Sequence, residues 1–127
     1  PVVPRFIYQA LGGGSLVIFG NGEQTRDFVY VDDVVRALIA AATAPDVNRC
    51  TINIGSGEET SILTLARHVL ALTGSSSNII YSPVEGGGVT RMIADLSLAR
   101  RLLGYEPQVS LKEGLRRTLA EDPRFKK

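Results

Sequence analysis

The 127-residue sequence has no tryptophan and only one cysteine, one histidine and one methionine, and each scarcity closes a route to function. A lone cysteine, Cys50, cannot form an internal disulfide, and at the head of an apolar run it reads as a reduced, buried, inert thiol. One histidine and one cysteine cannot build a metal centre. His68 has apolar neighbours, Ala66, Val69 and Leu70, inside a helical stretch, which suits a surface or core-edge residue better than a catalyst. Excess charge is also missing, since 14 basic against 13 acidic residues leave a net charge of +1. Binders of nucleic acid or membrane surfaces carry a basic excess, so neither partner is expected. No apolar run is long enough to span a bilayer and no charged-then-apolar segment opens the chain, which makes the expected location cytoplasmic. There is no G-x-S-x-G turn to present a serine nucleophile.

What is present is an alternation of strand-like and helical segments. PVVPRFIYQAL opens on proline, not methionine, which leads us to expect a fragment of a larger protein. Its apolar residues take helical spacing through Phe6, Ile7, Ala10 and Leu11 before Gly12-Gly13-Gly14. LVIFG and DFVYV read as two strands joined through Asn21-Gly22, the shape of a hairpin. Asp32 or Asp33 is placed to cap VVRALIAAATA, which stops before Pro45. TINIG reads as a buried strand, Thr60 or Ser61 starts the helix ILTLARHVLALTG, and NIIYSP is a further strand. Asp95 caps SLARRLLG, and Ser110 with Glu113 forms a capping box for LKEGLRRTLAED. The pattern is that of one mixed α/β domain spanning 1–127.

Two local features invite a ligand. Arg26 stands between Thr25 and Asp27 beside the glycine-containing turn GNGEQT, as an anion contact or as an edge charge that keeps the strand end soluble. Gly55-Ser56-Gly57-Glu58-Glu59-Thr60 follows a strand and opens a helix, as a dinucleotide fingerprint does. However, its third glycine is replaced by Thr60, and two carboxylates stand where a pyrophosphate would sit, so it reads as a decoy.

Three ordered motifs, LVIFGNGEQTRDFVYVDDVVRAL, INIGSGEETSILTLA and ADLSLARRLLGYEPQVSLKEGLRRTL, resemble the carboxy-terminal part of the nucleotide-sugar epimerases and dehydratases. These belong to the extended short-chain dehydrogenase/reductase superfamily, with the UDP-glucose 4-epimerase-like enzymes as the nearest branch. The resemblance covers nearly the whole chain. It implies an α/β substrate-binding part, a small mixed sheet with packed helices, without the Rossmann half. It also implies a UDP-sugar or related nucleotide sugar as ligand, with Val17 and Phe19 along the base and Arg26 on the diphosphate. The family's P-x-R-x-G-D loop is altered here, with Glu85 in place of its arginine and Gly88 in place of its aspartate, and Arg91 is the candidate to substitute for the lost cation.

The family's chemistry is a reversible hydride transfer between sugar and NAD, with a tyrosine as base and a lysine four residues beyond it. None of Tyr8, Tyr30, Tyr81 and Tyr105 has a lysine at that spacing. The resemblance therefore implies NAD in the parent enzyme, no cofactor and no catalytic residue in this chain, and a partner in the missing Rossmann half or in self-association. A stand-alone binding or interaction module is the second reading, and the sugar, the base and the reaction among epimerisation, dehydration and decarboxylation stay open.

Overall fold

The structure is a computed structural model that describes residues 1–83 and 89–126. Helix α1 (Val2–Leu11) buries Phe6, Ile7 and Ala10, which its helical spacing puts on one face. Strand β1 (Leu16–Phe19) follows, then the two-residue strand β2 (Thr25–Arg26) and helix α2 (Val31–Thr43). Strand β3 (Thr60–Ser61) leads directly into α3 (Ile62–Thr73), and β4 (Ile79–Ser82), α4 (Ser97–Leu103), α5 (Leu111–Glu121) and a 3-10 turn at Pro123–Phe125 complete the order.

The strands do not pair as a hairpin. β1 lies parallel to β4, with Leu16 opposite Ile79 and Phe19 opposite Ser82, while β2 pairs antiparallel with β3. Phe28, Val29 and Tyr30 are not strand residues at all. The reason lies in the turn: Leu63 N–H donates to the Gly22 carbonyl and Ile62 N–H to that of Gln24, so the loop after β1 is drawn onto the start of α3 instead of folding back on β1. TINIG also forms no strand. Ile52 and Ile54 pack inward, but Thr51–Ile54 make no backbone–backbone hydrogen bond among the described residues. Cys50 is exposed rather than buried, because the chain turns there, with Arg49 at φ 62° and the Cys50 amide tied back to Val47.

Ser61 and Ser110 cap their helices as expected, Asp95 stands one residue outside the Leu96 cap position of α4, and one helix lacks its expected cap altogether. The Ser61 and Ser110 hydroxyls accept from the Thr64 and Glu113 amides three residues on, although the Glu113 side chain turns to Arg116 and Arg117 instead of closing the box. Asp95 accepts from Ser97 N–H at the head of α4, whose end at Gly104 is left-handed, φ 59°, where glycine carries no Cβ penalty. The exception is α2. It starts at Val31 with no side-chain cap, and the Asp33 carboxylate, fully buried, instead reaches across the fold to Gln108 and Val109.

Two apolar clusters result. The larger joins α1, β1, α3 and α5 through Phe6, Ile7, Leu16, Ile18, Leu65, Val69 and Leu115. The smaller gathers Ala37, Leu96, Ala99 and Tyr105, with Ile52 and Ile54 against them.

Candidate functional site

In a two-stranded parallel sheet, each strand has one edge turned to its neighbour and one turned away. Leu16 and Gly20 donate their amides to carbonyls of Asn78 and Ser82 in or beside β4, so the even-numbered residues of β1 face β4. Val17 and Phe19 therefore present their backbone groups on the free edge. Helix α1 reaches that edge with two side chains: Gln9 Oε1 accepts from Val17 N–H at 3.3 Å, and Arg5 Nη2 donates to the Val17 carbonyl at 3.1 Å. The Phe19 carbonyl accepts from Gln24 Nε2 at 2.7 Å. The Phe19 N–H has no acceptor among the described residues. The Phe19 ring is 46% exposed, and the Arg5 guanidinium lies 4.9 Å from its centroid. At the carboxyl ends of the two strands an open hollow of about 470 Å³ is lined by Gly20, Asn21, Tyr81, Ser82 and Pro83. Such ends are where α/β sheets take ligands.

The two other candidate residues lie elsewhere. Arg26, in β2, donates to the Thr25 carbonyl at 2.6 Å and forms no ion pair among the described residues. Arg91 sits beside Thr25, bracketed by the bonds from Thr25 N–H to Thr90 and from Met92 N–H to Thr25. Its guanidinium forks onto Glu59 at 2.7 and 2.9 Å, and Thr25 Oγ1 donates to the same carboxylate at 2.8 Å. The Arg91 and Thr25 bonds hold Glu59 below the ordinary carboxylate range, and Glu59 in turn raises Arg91. Arg91 is thus engaged by a carboxylate while Arg26 has none among the described residues, and strand alternation turns Arg26 to the opposite face from Thr25. Glu85 and Gly88 lie outside the described residues.

The residue after Arg26 is the one that sequence reasoning missed. The Asp27 carboxylate accepts from Ser56 N–H and Oγ–H, both at 2.7 Å, from Gly57 N–H at 3.0 Å and from Ala94 N–H at 3.1 Å. Burial pushes its pKa up, but these donors, Ser56 foremost, more than offset that and hold the group below its ordinary value. Gly55 completes the clamp, because a Cβ there would stand 2.5 Å from Asp27 Oδ2 and 2.6 Å from the Ala94 Cβ. The buried Tyr105 hydroxyl donates to the Gly55 carbonyl at 2.7 Å. The Gly55-Ser56-Gly57 loop therefore does not fit a dinucleotide: the Ser56 and Gly57 amides that would meet a pyrophosphate are bound to Asp27. The signal available in the sequence was the pairing of an acid in R-D-F-V with a glycine-serine-glycine turn, and nothing in the spacing of 29 residues between Asp27 and Ser56 joins them.

Among the described residues there is no cluster of three His, Cys, Asp or Glu able to hold a metal ion. No described helix is long and apolar enough to cross a membrane.

Comparison with known proteins gives the kind of this small α/β unit. Residues 1–55 match the model of the NAD dependent epimerase/dehydratase family. UDP-glucuronic acid decarboxylase 1 of Xenopus tropicalis is 41% identical over 118 residues, which are 93% of this chain and 28% of the relative. UDP-glucose 4-epimerase of Thermotoga maritima, solved with UDP-glucose, superposes with a TM-score of 0.87 at 41% identity, over 94% of this chain and 38% of that one. UDP-glucuronic acid 4-epimerase of Bacillus cereus, in complex with UDP-glucuronic acid and NAD, gives a TM-score of 0.84 at 38% identity over 91% and 37%. The chain belongs to the NAD-dependent epimerase/dehydratase family and matches its carboxy-terminal part. It spans well under half the length of the curated relatives it matches, 28% of one and 38% of another.

Proposed function

We propose that this chain is the nucleoside-diphosphate-sugar-binding part of an NAD-dependent epimerase, dehydratase or decarboxylase, holding the sugar against a tyrosine and a nicotinamide supplied by a dinucleotide-binding half. The observation that carries the reading is the free edge of β1, where the Val17 carbonyl and the unpaired Phe19 N–H stand side by side at the mouth of an open crevice. An acceptor and a donor two residues apart on a strand edge can take an amide-like group in the way an added strand would be taken. The carbonyl and N–H of a nucleotide base are such a group. Arg26, with no carboxylate on it among the described residues, supplies the cation for the diphosphate, where a planar guanidinium takes phosphate oxygens two at a time. Arg91 serves the same diphosphate only if Glu59 releases it. The contribution to catalysis is positioning.

The smaller cluster supports the partner in this reading. Val31, Val35, Leu38 and Ile39 of α2 are between 44% and 66% exposed, and the unpaired Thr51–Ile54 segment lies in the same part of the fold, a combination suited to docking against a dinucleotide-binding half.

Arg26 provides the test. Arg26→Ala should weaken UDP binding by about 1.5 to 3 kcal/mol, the size of one charge-assisted contact, with melting unchanged. Arg26→Lys should recover part of that affinity, since it keeps the charge and loses the fork. Equal UDP affinities for all three proteins at equal stability would return Arg26 to the role of a solubilising edge charge.

A further inference from the structure

A second hollow lies between α3 and α5 and shares no lining residue with the crevice at the ends of β1 and β4. His68, Ala71 and Leu72 of α3 line one side and Lys112 and Leu115 of α5 the other, around a half-open space of about 300 Å³. Residues 68, 71 and 72 are three and four apart, which puts them on one face of α3. The floor is apolar. Leu115 is 3% exposed and belongs to the larger cluster, and Leu72 packs against that cluster from the outside.

The rim has no partner within the chain. Neither His68 nor Lys112 makes a hydrogen bond or an ion pair among the described residues, whereas Arg91, Arg100, Arg116, Arg117 and Arg124 each hold a carboxylate. Glu113, next to Lys112, is already taken by Arg116 and Arg117, whose bonds pull its pKa down to about 2. The elements packed with α5 in this cluster, α1, β1 and α3, contain no aspartate or glutamate. Lys112 also stands in the first turn of α5, where the helix dipole disfavours a cation. The described residues therefore offer nothing that offsets its charge.

We propose that this hollow binds a small amphipathic carboxylate, with its apolar body on Ala71, Leu72 and Leu115 and its carboxylate accepting from Lys112 Nζ and a ring N–H of His68. The size fits one compact molecule, since small-molecule pockets begin at about 300 Å³. An anion without an apolar body would leave the floor in water, and an apolar body without a charge would leave the ammonium unpaired. The two halves of the ligand are thus selected together. This site stands apart from the nucleotide reading, because none of its residues belongs to β1 or β2, and either can fail alone.

The experiment is a titration of the full chain with hexanoate, followed by NMR of the His68 ring protons, which need no assignment because the chain has one histidine. Acetate, which lacks the apolar body, and hexanol, which lacks the charge, are titrated beside it. Hexanoate should shift the His68 resonances saturably, and each control should bind at least about 10-fold more weakly. Lys112→Glu should lose roughly 10- to 100-fold in hexanoate affinity, the size of one charge-assisted hydrogen bond, with melting unchanged because the side chain is exposed. No saturable shift with hexanoate would overturn the site. Acetate binding as well as hexanoate would overturn the apolar half of the assignment, and hexanol binding as well would overturn the carboxylate half. Should Lys112→Glu fail to fold, Lys112→Gln decides in its place: weaker hexanoate binding than the parent's supports the assignment and equal binding refutes it.

Discussion

The two apolar clusters are built from similar residues but held in different ways. The first is closed on all sides: Phe6, Ile7, Leu16, Ile18, Leu65 and Val69 are each less than 2% exposed, and two helices and a strand meet over them. The second is smaller, with Leu96 and Tyr105 set against the small side chains Ala37 and Ala99 and most of the large apolar residues of α2 left outside. What holds that region is a pair of carboxylates. Asp27 gathers the amides of Ser56, Gly57 and Ala94, and Asp33 gathers those of Gln108 and Val109 together with Arg36, so segments far apart in sequence are tied to the chain around α2 by charge-assisted bonds. Where apolar volume is short, satisfied buried acids set the geometry instead. Arg26 inherits its place from this arrangement, since it is the residue before one of those acids.

The strongest way to sharpen the contrast is to cut into the closed cluster. Leu65→Ala should lower stability by about 2 to 5 kcal/mol, read by denaturant unfolding, because the lost transfer energy is compounded by a cavity that rigid neighbours cannot fill. A loss below about 1 kcal/mol would mean that the cluster is looser than its burial implies.

A smaller effect is expected at the carboxylate clamp, and it should depend on pH. Gly55→Ala forces a methyl group onto Asp27 and Ala94 and should cost about 1 to 3 kcal/mol. The folded Asp27 carboxyl titrates below the ordinary unfolded value of about 3.9, so its contribution is fully present above that value and fades as pH falls through the lower folded one. Acid unfolding of the parent should therefore steepen below about pH 4, and Asp27→Asn, already weaker at neutral pH, should show a shallower acid dependence. Parallel acid profiles for the two proteins would remove Asp27 as the source.

The least effect belongs to the outer face of α2. Leu38→Gln, at a side chain 66% exposed, should change stability by less than about 0.5 kcal/mol. If that face is a docking surface, the same change should reduce association of the isolated chain in sedimentation, and a melting change above about 1 kcal/mol would show that Leu38 packs within the chain.

Much of this was legible in the sequence where the signal is local. Helical spacing fixed Phe6, Ile7 and Ala10 on one face of α1, and the hydroxyls of Ser61 and Ser110 stand at helix starts as expected. β1 and β4 were legible as strands but not as partners, because an apolar run carries no record of which run it will lie beside. DFVYV failed as a strand because Asp27 is drawn to the loop at Ser56, a long-range bond that outweighs the β propensity of Phe28, Val29 and Tyr30. Of the site, Val17, Phe19 and Arg26 came from motif resemblance alone. The hold of Glu59 on Arg91, and the absence of an acid on Arg5 among the described residues, depend on distances that only the folded chain has.

The parallel pairing of β1 also has a kinetic consequence. A hairpin strand can zip to its neighbour within microseconds, but β1, at residues 16–19, must wait for a partner at residues 79–82. Closing so long a loop costs entropy before any ladder bond forms, which makes the pairing a late event in folding. On the ribosome β1 emerges well before β4 exists, with both its edges open. Until β4 arrives, only the reach of Gln9 and Arg5 from α1 distinguishes the edge that stays free from the edge that will pair.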